Sequence, residues 1–186
     1  MRATKMKDPY EIINHLTPTD ALSILKTLAD NDPALARRIA EIATARLSDI
    51  DPGEVAITLY DELDALEVEE VWDRAGRTRY GYVEPIEAAS KMVDEVLAPF
   101  LEEMGRYQKL GMNSEANRTC MGLLLGLYRF ERESTIEFKD WATDVPIASA
   151  KRVIYLWKQG APSQADVRLV KAFVKDELCG WGAGRG

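Results

Sequence analysis

At Thr17-Pro18, Asp32-Pro33 and Asp51-Pro52 the chain sets a side-chain cap directly before a proline. A Thr or Asp in that place accepts hydrogen bonds from the first backbone amides of a helix. Proline suits the first helical position because the amide it lacks would go unpaired there. Each pair precedes a run with helical period, so three helix starts are specified before any packing is considered. Ser163, with Asp166 three residues on in the capping-box position, marks a fourth.

From Pro33, Leu35, Ile39, Ile42, Ala43 and Leu47 form an apolar stripe, with Arg37, Arg38, Glu41 and Arg46 elsewhere around the wheel. From Pro52, Val55, Leu59, Leu63 and Leu66 do the same, and the short connection Ser48 to Asp51 predicts an antiparallel pair. A helical turn is expected over Glu69 to Arg74. A long helix is expected over Glu84 to Leu110, stopped by Gly111, with Pro99 kinking it or ending it early. Asn113 to Arg132 is the most apolar helix, and Gly122 and Gly126, four apart on it, suit a close crossing, inside the fold or between protomers, of which the internal one is favoured. Two more helices are expected over Val145 to Lys158 and Ser163 to Leu178.

No segment alternates apolar and polar residues with β-branched enrichment, so essentially no sheet is expected. The expected class is all-α: antiparallel helical hairpins stacked as a short, irregular α-solenoid, with a compact helical bundle as the second choice. One helical domain is expected over 1–186, with flexible ends at 1–16 and 180–186.

Hydrophobic residues at 46% and charged residues at 30% of 186 are enough to build a core, which excludes a disordered chain. A net charge of −7 disfavours general binding to polyanions. The acidity is uneven: residues 1–70 carry 7 Lys and Arg against 15 Asp and Glu, the remainder 17 against 16. Cys120 and Cys179 cannot build a disulfide framework, and Met1 to Asp8 lacks the apolar segment of a signal peptide, so a reducing, cytoplasmic setting is expected. The longest apolar run, Cys120 to Tyr128, is far short of a membrane span.

His15 is the sole histidine, so a triad or a multi-histidine metal site would have to rest on it alone. The acidic run Asp61, Glu62, Asp64, Glu67, Glu69, Glu70 and Asp73 lacks the spacing and the glycine of a calcium loop and reads as a solvated helix face. Cys120 lies on an apolar helix and reads as a core residue. No glycine-rich phosphate loop occurs. Neither a catalytic residue, a metal nor a cofactor is therefore expected.

The stretch Val71 to Pro85, VWDRAGRTRYGYVEP, interleaves Arg74, Arg77 and Arg79 with Trp72, Tyr80 and Tyr82 between two helices. Arginines and aromatic side chains carry much of the binding energy at interfaces, and they also grip phosphates and stack on bases. A purely structural reading stands beside this one: Arg77 and Arg79 would pair with the preceding acidic helix while Trp72, Tyr80 and Tyr82 fill the groove beneath the next.

This stretch, the EAA after it, and the later GLLLGLYRFE and EFKDWA resemble the helical region that follows the SWIM zinc finger in uncharacterised prokaryotic SWIM-domain proteins. The resemblance runs from about Leu35 onward and implies a helical, protein-interacting or scaffold module. The finger needs Cys-x-Cys and Cys-x-His, which this sequence lacks, so zinc does not carry over. The expected function is a non-catalytic interaction module with another protein as partner. The alternative is an accessory nucleic-acid or nucleotide binder using the same loop, and no membrane partner is expected.

Overall fold

The computed structural model describes residues 8–79 and 81–181. Asp8 caps the short α1 (Pro9–Asn14), and a full capping box between Thr17 and Asp20 opens α2 (Pro18–Asn31). Asp32 accepts from the Ala34 and Leu35 amides to open α3 (Pro33–Leu47), and Asp51 accepts from Gly53 and Glu54 to open α4 (Pro52–Asp64). Then come α5 (Val68–Arg74), β1 (Gly76–Thr78), β2 (Gly81–Val83), α6 (Pro85–Lys109), α7 (Asn113–Glu133), α8 (Phe138–Trp141), α9 (Val145–Gln159) and α10 (Gln164–Glu177). A second capping box, Ser163 with Asp166, opens α10. The protein is all-α: among the described residues ten helices accompany a single two-stranded ribbon.

Part of the expected loop is corrected, and of the two outcomes expected at Pro99 the early end does not occur. The ribbon is a true antiparallel pair with Gly76 opposite Val83, Arg77 opposite Tyr82 and Thr78 opposite Gly81. Strands of three residues are too short to show alternation in a sequence; the positive φ of Gly76 suits the chain's entry into the ribbon and that of Gly81 its exit from the turn. Nor does Pro99 end α6, which runs on to Lys109. Proline removes one hydrogen bond from a helix. Here buried Met92, Val93 and Leu97 before it and Met104 and Tyr107 after it hold both halves in the core.

The chain divides into two compact units, Met1–Ser48 and Asp49–Gly186. In the first, α2 and α3 pack on each other, joined by Asp32 alone, and neither helix buries a residue fully. The expected pairing of α3 with α4 falls across the boundary between units. Within the second unit the partner of α4 is α7.

That second unit takes the compact bundle, the second of the two arrangements expected. Helices α4, α6, α9 and α10 all pack against α7, whose Cys120, Leu123, Leu124, Leu127 and Phe130 are almost completely buried. In a solenoid each helix would instead touch mainly its chain neighbours. Close approach to α4 depends on the two glycines of α7. A Cβ on Gly122 would lie 2.6 Å from the Val55 Cβ and 2.8 Å from the Pro52 carbonyl oxygen, and one on Gly126 would lie 3.0 Å from the Ala56 carbonyl oxygen.

Polar groups tie the helices where side chains cannot simply be apolar. The Trp157 indole N–H on α9 donates to the buried Asn117 Oδ1 on α7 at 2.9 Å, and Asn117 Nδ2 donates to Asp166 Oδ1 on α10 at 2.5 Å. The Ser163 hydroxyl, and after it the Asn117 amide and the Ser163 backbone amide, stabilise the Asp166 carboxylate, holding its pKa below the ordinary value. Gln108 of α6 donates to the Trp157 carbonyl at 2.8 Å, beside Gly160.

Alanine in place of glycine normally strengthens a helix by up to ~1 kcal/mol. Gly105→Ala on α6, with nothing within 4 Å of the added methyl, should show that gain in urea denaturation. Gly122→Ala should reverse the sign and lose about 1 to 3 kcal/mol through overpacking. A second expectation concerns Asn117→Ala, which strands the buried Trp157 N–H and should cost about 2 kcal/mol. The depressed Asp166 pKa contributes stability above the ordinary carboxylate range, and that contribution fades as pH falls through the depressed value. Asn117→Ala should therefore also shallow the acid limb of stability against pH.

Candidate functional site

The structure places Trp72, Arg74, Arg77, Arg79 and Tyr82 on α5 and the ribbon that follows it, while Tyr80 lies outside the described residues. Buried Val71 anchors α5, which packs on α6. Arg74, in its last turn, donates to Glu95 of α6 at 2.6 Å and to Glu70 one turn back at 3.1 Å. The Glu95 hydrogen bond is the main cause raising the Arg74 pKa, and the same bond lowers that of Glu95. Arg74 is thus engaged by two carboxylates, and Glu95 is a partner that no local pattern announces.

Trp72 is a different case. It meets Trp141 of α8 edge to face, ring centroids 4.6 Å apart at 75°, yet stays 50% exposed. Such a contact holds the indole in place without covering it. Buried Phe138 and Ala142 fix α8, and α8 packs on α6, so both tryptophans are carried on one framework. Sequence reasoning missed Trp141 because it stands 69 positions away in a helix of four residues.

On the ribbon, Arg77 and Tyr82 are cross-strand partners and so share one face. Both are exposed, Tyr82 at 65%, whereas Val83 on the opposite face is half-buried. Arg79 is exposed at the turn. Ile86, where α6 begins, is also 55% exposed. The group offers an indole, a phenol and guanidinium groups on a short ribbon held by α5 and α6. Side chains of these types recur as anchors at interfaces.

Other candidate residues fall elsewhere. His15 is exposed at the end of α1. Burial pushes the Cys120 thiol up to about 12, which makes it an inert core group, and Cys179 is exposed beyond α10. Within the acidic run Asp64 accepts from the Ser134 hydroxyl at 2.6 Å and Glu70 holds Arg74. Among the described residues no three His, Cys, Asp or Glu side chains converge to hold a metal, and no helix is long and apolar enough to cross a membrane. Comparison with family models, with curated proteins and with solved structures finds no match.

Arg74→Ala removes both ion pairs. Because they are partly exposed, the loss of global stability should stay within about 1 kcal/mol. Amide exchange over residues 68–83 should nevertheless speed up several-fold, with Glu95→Gln giving most of the effect. Unchanged exchange there would show that Arg74 does not position the ribbon.

Proposed function

We propose that the protein is a non-catalytic helical interaction module, and that it recognises a protein partner through the outward face of the ribbon and the neighbouring Trp72. The observation that carries this reading is the pairing of Arg77 with Tyr82 on an exposed strand face beside a half-exposed tryptophan held by Trp141. Exposed Trp, Tyr and Arg on a framework that is already ordered lose little freedom on binding, which is what makes such residues interface anchors. In this reading Trp72, Arg77 and Tyr82 make the contacts. Arg74 is the positioning residue, since its guanidinium is already engaged by two carboxylates.

The resemblance to the helical region of SWIM-domain proteins is in keeping with a scaffold of this kind. A reducing, cytoplasmic setting belongs to the same proposal, since two cysteines, one of them buried, give the fold no disulfide framework. A nucleic-acid partner is less well supported, because the ion pairs of Arg74 reduce the positive charge that the loop can present.

The test is a photo-crosslinking residue at position 82, followed by binding of the crosslinked protein in purified form. Arg77→Ala/Tyr82→Ala, with an unchanged circular dichroism spectrum, should bind that partner at least about 30-fold more weakly, the loss of a binding hot spot. Equal binding by the variant, or capture abolished by nuclease, would overturn the proposal.

A further inference from the structure

Helices α9 and α10 both pack on α7 but scarcely touch each other. Their polar tie lies at one end, where Trp157 and Asp166 meet through Asn117. Away from that tie the gap between them is a cavity of about 100 Å³, floored by buried Leu124 of α7. Ile147, Ala150 and Ile154, a stripe along α9, form one wall, and Val174 and Leu178 of α10 form the other. Trp181 completes the lining. Gly180, with φ +74°, turns the chain after α10. The Trp181 indole N–H then donates to Glu131 of α7, and its ring meets Tyr128 edge to face at 5.7 Å.

We propose that this cavity binds a small amphiphile, a medium-chain monocarboxylate whose hydrocarbon chain enters between α9 and α10 and whose carboxylate pairs with Lys151. The lining decides the chain. Seven of its eight residues are apolar, so water, which needs several polar partners, is poorly held there. At about 100 Å³ the cavity is smaller than the roughly 150 Å³ apolar cavity that takes up benzene, so a single slender chain suits it better than a ring.

Lys151 decides the head group. Of the residues that line the cavity it alone is charged. It is exposed, so its stem completes the α9 wall while its ammonium stays in water at the rim. Among the described residues that ammonium has no ion-pair partner, whereas Arg152 beside it already holds Asp94. Nor does α9 contain an acidic residue to compete for it. A cation at the lip of an apolar cavity attracts an anion carried on a chain and repels the corresponding amine. The cavity shares no residue with the ribbon, and this inference is independent of the proposed partner surface.

The experiment is titration of the full chain with octanoate, followed by the tryptophan indole N–H signals in a proton–nitrogen NMR spectrum. Octanoate should bind saturably and move the Trp181 signal, while those of Trp72 and Trp141 stay in place. Octylamine, the same chain with the opposite charge, should bind at least about 10-fold more weakly. Lys151→Glu should reverse that preference and, at an exposed position, keep the wild-type circular dichroism spectrum. Ala150→Leu, which puts a larger side chain into the cavity, should lose both ligands. Because that variant could also disturb the packing of α9, Lys151→Glu supplies the measurement that does not depend on packing. Arg77→Ala/Tyr82→Ala should bind octanoate like wild type, which separates the cavity from the ribbon. A Trp181 signal unmoved up to about 10 mM octanoate, equal binding of octanoate and octylamine, or a preference untouched by Lys151→Glu would overturn the inference.

Discussion

At Gly122 and Gly126 helix α7 comes so close to α4 that a methyl group on either would press against backbone carbonyls and the side chains of Val55 and Leu59. The packing of the second unit depends on this approach. With α4 against one side of α7, the leucines around the rest of the helix are left for α6, α9 and α10 to cover, and a helix apolar on nearly every side becomes the centre of a bundle. Glycine usually weakens a helix, because the unfolded chain has more freedom to lose. Here that intrinsic cost is offset by dispersion contacts that a longer interaxial distance would forfeit.

Around that centre, polar groups fix where each outer helix sits. An apolar stripe tolerates sliding along its neighbour, but an indole N–H buried opposite a single amide oxygen does not. Trp157, Asn117 and Asp166 therefore set the relation of α9, α7 and α10 in a way that apolar burial alone would leave loose. Arg74 plays the same part at lower energy near the surface, joining α5 to α6 through Glu95.

The two units show how differently the same local signals can end. Caps of equal quality start α2, α3 and α4. Ala56, Leu59 and Leu63 of α4 are shut off from solvent completely, whereas the leucines of α2 keep nearly half of their surface in water. A helix start is a matter of a few hydrogen bonds within one turn. Burial needs a partner surface, and only the second unit supplies one from within itself.

The helix starts were legible in the sequence because a cap and the amides it satisfies lie within three residues of each other. The all-α class and the close crossing at Gly122 and Gly126 were legible too, since helical period and small residues at spacing four are local patterns. Tertiary structure decided the rest. It carried α6 on past Pro99, because burial on both sides of the proline outweighs one missing hydrogen bond. It chose α7 as the centre, and it turned part of an expected loop into a ribbon whose strands are too short to show a period. Above all, it brought Glu95 to Arg74 and Trp141 to Trp72. Those pairs are 21 and 69 residues apart, and no local pattern encodes which distant side chain will arrive once the helices between have packed.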